Sequence, residues 1–193
     1  GGPGVSQQLQ RPALFLDRDG VINEDVGYLH RIDQFRFLPG VLEACRWMHE
    51  AGYLLVVVTN QSGIARGYYS IEQFHEVTQW MRARFAAAGA PLAAVYFCPH
   101  HPDAAVSAQP ISCSCRKPEP GMLLQAAADL QLDLAGSLMV GDKEDDILAG
   151  RAAGVGRCVR IAKEPAITPT TADLCLQALA ALPEQLATLQ HKA

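Results

Sequence analysis

Asp17 and Asp19 stand one residue apart, directly after the apolar run Ala13–Leu16 and before Gly20. Two carboxylates so close repel each other unless a cation lies between or beside them. An Asp-x-Asp-Gly also occurs in ordinary turns. A second apolar run ends in Thr59-Asn60-Gln61-Ser62-Gly63, a group of hydroxyl and amide donors suited to an anionic oxygen, and equally to a helix cap. Arg116-Lys117-Pro118 supplies two adjacent cations, which alone would read as a solvated surface pair. Gly141-Asp142 repeats the acid after an apolar run, and Asp145 and Asp146 follow where acids also favour a helix macrodipole. Taken together, these four groups occur in the order that sheet ends could bring to one place.

A second constellation is sulfur-rich. Cys98-Pro99-His100 and, after twelve residues, Cys113-Ser114-Cys115 supply three thiols and an imidazole in a segment with few apolar residues. Zinc held by Cys98, His100, Cys113 and Cys115 is the natural reading, with His101 the rival ligand to His100 and a disulfide or free thiols the alternatives. Four protein ligands leave no open position, so such a zinc would brace the loop and not activate water. Cys115 immediately precedes Arg116, so fixing the sulfur would also aim the two cations.

The elements that must position these residues follow from periodicity. Apolar runs predict strands at Ala13–Leu16, Tyr53–Val58, Ala93–Phe97, Leu138–Val140 and Val155–Ile161. Helical spacing predicts helices over Val41–Ala51, Ser70–Ala88, Gly121–Leu130 and Asp145–Ala153, the second opened by a Ser70/Gln73 capping box. Strands alternating with helices imply a mainly parallel, doubly wound α/β sheet with helices on both faces and ligands at the carboxyl ends of its strands. The segment Pro99 to Pro120 has no periodicity and needs a brace or a function.

Composition sets the limits. The chain has 193 residues, 49% of them hydrophobic and 19% charged, which suits one domain, read as residues 11–190. No apolar run approaches the roughly 20 residues of a membrane span. A net charge of -4 lacks the basic surplus of a nucleic-acid binder. Gly1-Gly2-Pro3-Gly4 has no signal-peptide character and reads as an expression remnant, and the expected location is the cytoplasm. Six cysteines without a secretory signal argue against a disulfide framework, and Cys45, Cys158 and Cys175 read as small core residues.

The four motifs Asp17-Arg18-Asp19-Gly20, Thr59, Lys117 and Gly141-Asp142 with Asp146 resemble those of the haloacid dehalogenase superfamily of phosphohydrolases. The resemblance implies a Rossmann-like domain in which Asp17 is a nucleophile toward phosphorus and Asp19 a general acid and base. It also implies Mg²⁺ on Asp17, Asp142 and the Asp19 backbone carbonyl, with Thr59 and Lys117 stabilising the phosphoryl group and Asp146 orienting Lys117 or metal-bound water. About forty residues separate Asp19 from Thr59, so no large cap domain fits. Asp25-Val26-Gly27-Tyr28, Thr59 to Gly67, Cys98 to Pro102, Cys113 to Pro118 and Gly141-Asp142-Lys143 narrow the likeness to the D-glycero-D-manno-heptose-1,7-bisphosphate 7-phosphatases. That family implies contacts with a sugar bisphosphate at Asp25, Val26, Gly27, Tyr28, Thr59, Asn60, Gln61, Ser62 and Arg116; Arg18 and Lys143 are further candidate contacts, and a monomer is the default expectation. The histidinol-phosphate phosphatases are the nearest rival, and a zinc-braced binding module without turnover is the alternative of another class.

Overall fold

The computed structural model describes residues 9–101, 113–164 and 169–191. Six strands form its sheet: β1 (Ala13–Leu16), β2 (Leu54–Asn60), β3 (Leu92–Cys98), β4 (Leu138–Gly141), β5 (Arg157–Ile161) and β6 (Leu174–Leu176). They lie in the order β3-β2-β1-β4-β5-β6 with every pairing parallel. Parallel neighbours cannot be joined by a hairpin, so helices carry the connections from β1 through β5 and cover both faces. The helices are α1 (Val41–Glu50), α2 (Ser62–Ala65), α3 (Ile71–Ala87), α4 (Gly121–Leu130) and α5 (Glu144–Ala153), with α6 (Leu182–His191) following the last strand.

The central strand β1 is buried at all of its positions, and its side chains alternate between two cores as the period of a strand requires. Leu14 and Leu16 join Leu55, Val57 and Val140 against Met48 of α1, Met81 and Phe85 of α3 and Leu182 of α6. Ala13 and Phe15 join Val56, Val58 and Met139 against Leu123 and Ala126 of α4 and Ile147 of α5. Ser70 starts α3 as expected: its hydroxyl accepts from Gln73 N at 3.1 Å while the Gln73 side chain accepts from Ser70 N at 2.8 Å.

Each predicted strand and helix is present within two residues of its expected bounds. The strand expected from Val155 starts at Arg157 because Val155 N donates to Gly150 O and closes the preceding helix. β6, α2 and α6 are additional. Gly1–Gly4 and the interior of the cysteine loop, residues 102–112, lie outside the described residues. Among the described residues no separate cap is built, and no helix is long and apolar enough to cross a membrane.

Phe15 is wholly buried between β1 and the α4–α5 layer. Phe15→Ala should therefore cost about 3–5 kcal/mol of stability. Chemical denaturation followed by circular dichroism measures this, and a loss under about 1 kcal/mol would contradict the packing described.

Candidate active site

The connection from β3 crosses over to β4 on the far side of β1, so the winding of the sheet reverses beside β1. Loops leaving the carboxyl ends of β1, β2 and β4 part there and open a crevice. Asp17 follows β1 directly, and its N–H donates to Val140 O at 3.0 Å, carrying the ladder as far as the first acid. The turn beyond it is tied by Val21 and Ile22, whose N–H groups donate to Arg18 O at 3.2 and 2.8 Å. Gly20 has φ +87°, and a Cβ there would run into the Asp142 carboxylate. Only glycine lets the two acid-bearing turns approach so closely.

Lys117 reaches the same point from a segment 100 residues further along the chain. Its Nζ donates to Asp17 Oδ1 at 2.9 Å, Asp146 Oδ1 at 2.6 Å and Val58 O at 2.9 Å. Asp146 also accepts from Lys143 N at 3.1 Å, which fastens it to the start of α5. Burial, and then the charge of Asp146, push the Asp17 carboxyl well above the usual carboxylate range, with Lys117 pulling the other way. Burial works against the Lys117 ammonium, but Asp17 and Asp146 outweigh it and raise its pKa.

Carboxylate oxygens of Asp17, Asp142 and Asp146 lie within 4.8 Å of one another. Asp146 has both of its oxygens engaged by Lys117 and Lys143, whereas Asp142 Oδ1 is buried with no hydrogen-bond partner. Three carboxylates against one ammonium leave a negative surplus, and hard oxygen donors suit a hard divalent cation such as Mg²⁺. The donor set therefore fits the expected ion, with Asp17 and Asp142 as its ligands and Asp146 as the group that holds Lys117.

Asp19 faces the same crevice and is held from behind. Arg18 donates to it through Nε at 3.2 Å and Nη2 at 3.1 Å, and Asn23 Nδ2 donates to Asp19 Oδ1 at 2.9 Å. Arg18 is 1% exposed, with its guanidinium over the Phe74 ring, so its side chain lies behind Asp19 and outside the cavity. The side chain expected at the substrate thus engages Asp19 and is not among the residues that border the cavity.

Thr59 near the end of β2 is also buried, and Gln61 covers it: Gln61 Nε2 donates to Thr59 Oγ1 at 2.9 Å, while Tyr69 donates its phenolic hydrogen to Gln61 Oε1. Because the amide donates to it, the Thr59 hydroxyl keeps its own hydrogen to give; here that goes to Asn60 O at 3.4 Å. Burial raises the Tyr69 phenol to about 12, so it remains a donor at neutral pH. A Cβ on Gly63 would collide with the Tyr69 ring.

A cavity of about 360 Å³ opens over these groups; Thr59 and Asp142 lie beneath its lining and do not border it. Asp17, Asp19, Asp25, Gly27, Tyr28, Asn60, Gln61, Ser62, Arg116, Lys117 and Lys143 all border it, as the motifs imply. Val26 does not; it borders a neighbouring depression with Glu24, Asp142 and Lys163. Sequence reasoning gives no role to Asn23 or Arg66, although the resemblance runs through both, and does not single out Tyr69. Arg66 follows Ser62 by one helical turn, which is a signal for a shared face, but the partners of Asn23 and Tyr69 are set only in three dimensions.

The sulfur cluster lies behind the Arg116–Lys117 turn. One nitrogen or sulfur atom from each of Cys98, His100, Cys113 and Cys115 falls within 4.8 Å of the others. Cys98 and Cys115 meet as a disulfide pair, an alternative the sequence leaves open. Cys113 Sγ stands 3.6 Å from Cys98 Sγ, and His100 Nδ1 3.5 Å from Cys115 Sγ. Ligands at zinc–sulfur bonds of about 2.3 Å are spaced by roughly 3.8 Å in a tetrahedron, so this donor set fits zinc once the Cys98–Cys115 pair is reduced to thiols. His101 is not in the cluster: its Nε2 is 2.7 Å from Arg66 Nη2, in the cavity.

A family model described as HAD-hydrolase-like matches residues 114–159. The chain is 50% identical over 178 residues to the D-glycero-beta-D-manno-heptose-1,7-bisphosphate 7-phosphatase of Yersinia pestis, spanning 91% of this chain and 95% of that one. It is 49% identical over 164 residues to the D-glycero-alpha-D-manno-heptose-1,7-bisphosphate 7-phosphatase of Burkholderia mallei, spanning 85% and 87%. Among solved structures it is similar to the D,D-heptose 1,7-bisphosphate phosphatase from B. bronchiseptica complexed with magnesium and phosphate. That likeness has a TM-score of 0.79 and 32% identity, and covers 92% of this chain and 99% of that one.

A cation that relieves the carboxylate surplus should stabilise the fold. Adding Mg²⁺ at about 100 times its dissociation constant should raise stability by roughly 2.7 kcal/mol. A thermal shift assay reads this as a higher Tm, and Asp142→Asn should erase most of the gain. An equal gain in wild type and Asp142→Asn would place the ion elsewhere.

Proposed function

Because this chain belongs to the D-glycero-D-manno-heptose-1,7-bisphosphate 7-phosphatase family of the haloacid dehalogenase superfamily, we propose that it removes the C7 phosphate of that sugar bisphosphate. The observation that carries the chemistry is the Lys117 ammonium joining Asp17 to Asp146 beside an Asp142 oxygen without a partner. Such a site combines a nucleophile, charge stabilisation and a cation-binding acid at the end of one sheet.

Asp17 attacks phosphorus in line; an Asp17 oxygen–phosphorus bond forms as the bond from phosphorus to the C7 oxygen breaks. Asp19, oriented by Arg18 and Asn23, gives its proton to the departing sugar oxygen. It then takes a proton from the water that attacks phosphorus, and inorganic phosphate leaves as Asp17 is restored. Lys117 and the hydroxyl of Thr59 stabilise charge on the transferring group. Asp17, Asp142 and the Asp19 carbonyl would hold magnesium, whose charge, when bound, would let an anionic nucleophile meet an anionic phosphate. Arg116, Lys143 and the Asp25–Tyr28 loop recognise the rest of the substrate. Both anomers occur among the relatives' substrates at near-equal identity, so identity does not choose between them. The proposed setting is a cytoplasmic monomer feeding heptose nucleotide synthesis for lipopolysaccharide or a related glycoconjugate.

Phosphate release from both heptose 1,7-bisphosphate anomers, fructose 1,6-bisphosphate and histidinol phosphate tests the reading. A heptose bisphosphate should be fastest, phosphorus NMR should show heptose 1-phosphate as product, and Asp17→Asn should abolish turnover. Heptose 7-phosphate as the main product would reverse the orientation, and histidinol phosphate as the best substrate would move the function to the rival family.

The second metal in this reading is structural zinc on Cys98, His100, Cys113 and Cys115. Plasma mass spectrometry should find about one zinc per chain, as one closed four-ligand site requires, and none in Cys115→Ser. Magnesium should remain essential in both proteins. A fully active zinc-free protein carrying a Cys98–Cys115 disulfide, or activity restored by zinc without magnesium, would reject this role.

A further inference from the structure

Asn60 borders the cavity, yet both polar atoms of its side chain are committed to one residue of the chain itself. Its Oδ1 accepts from the backbone N–H of Lys117 at 3.0 Å, and its Nδ2 donates to the Lys117 carbonyl at 3.2 Å. A carboxamide carries an acceptor and a donor side by side, which matches the N–H and C=O of one residue. The bridge spans 57 positions and ties the last residue of β2 to a segment that belongs to no helix or strand. Val58, on the same strand, receives the Lys117 ammonium through its carbonyl at 2.9 Å. β2 thus grips Lys117 at its backbone and at its tip.

Arg116, the adjoining cation, is tied in another direction. Its Nη1 donates to the carbonyl of His100 at 3.5 Å, and the His100 ring faces the cysteine sulfurs. Two neighbouring cations therefore rest on two different supports.

We infer that Asn60 is a positioning residue for Lys117, so that β2 sets the cation used in phosphoryl transfer while the cysteine–histidine cluster sets Arg116, the cation that recognises substrate. This division rests on the roles given above to Lys117 and Arg116. It follows that damage to one support should appear in a different kinetic constant from damage to the other. An interaction made chiefly in the transition state lowers kcat when lost, whereas uniform binding raises KM. A displacement of about 1 Å in a catalytic group can cost on the order of 10²-fold in rate.

Steady-state phosphate release is measured for wild type, Asn60→Ala, Asn60→Asp and Cys113→Ser, with heptose 1,7-bisphosphate and with p-nitrophenyl phosphate. Circular dichroism checks that each variant is folded. Asn60→Ala should lower kcat about tenfold or more on both substrates, with KM for the heptose bisphosphate within about twofold of wild type. Asn60→Asp, which still accepts from Lys117 N–H but cannot donate to its carbonyl, should also lose kcat and serves if the alanine variant does not fold. Cys113→Ser should raise KM for the bisphosphate while kcat on p-nitrophenyl phosphate stays within about threefold. A raised KM with unchanged kcat in the Asn60 variants would make Asn60 a substrate contact and overturn the proposal. So would a Cys113→Ser variant that loses kcat as severely as Asn60→Ala. The nitrophenyl ester carries no sugar, so a wild type inactive on heptose bisphosphates refutes the substrate assignment and leaves the Asn60 result readable.

Discussion

One ammonium makes the active end of this sheet tolerable. Lys117 is 3% exposed and lies between Asp17 and Asp146, themselves 8% and 2% exposed, with Asp142 alongside. Charges so far from water cost several kcal/mol each to bury, and removing one partner of such a pair typically destabilises by about 3–5 kcal/mol. A hydrophobic trio of the same volume would serve the fold at least as well. The arrangement makes sense as a site kept ready for a divalent cation and a phosphate, whose opposing charges complete a balance that the protein alone leaves negative.

The topology supplies that cluster with members from distant parts of the chain. β1 delivers Asp17 and Asp19, β2 delivers Thr59 and Asn60, and β4 delivers Asp142 with the start of α5, because parallel strands present all their carboxyl ends on one edge. Lys117 has no strand of its own. It is carried in by a turn behind the sulfur cluster and anchored by β2, which explains why a carboxamide stands at the end of that strand. Rigidity at Asp19 comes from Arg18 and Asn23, and at Thr59 from Gln61 and Tyr69. The reacting groups are thus held by neighbours whose own conformations are locked in the core.

What could be read from the chain alone follows the same division. The acids at the ends of apolar runs were legible because a buried strand is a short apolar run and its end is marked by the first polar residue, as at Leu16–Asp17 and Val140–Gly141–Asp142. β6 has only three residues and stands at the sheet edge, too short to have a period. α6, with Pro183 at its first turn and a mixed face, gave a weak pattern. The direction of a side chain is a tertiary fact. Arg18 sits between two site acids, and nothing in its spacing shows that a strand-end turn sends its side chain inward over Phe74. Asn60 was expected at the substrate, and nothing within its own motif signals a partner at Lys117.

The 100-residue separation of Asp17 and Lys117 bears on how the molecule comes into being. Contacts between segments remote in sequence carry the loop-closure entropy of everything between them, and all-parallel sheets are built from such contacts. Helices can form locally, but the reactive cluster exists only once β2, the turn at Lys117 and β4 have all docked on β1. Most of the helices have only ten residues and are marginal until they pack, so they too depend on the sheet. Turnover therefore reports the docking of every one of these segments at once, whereas a helix reports only its own neighbourhood.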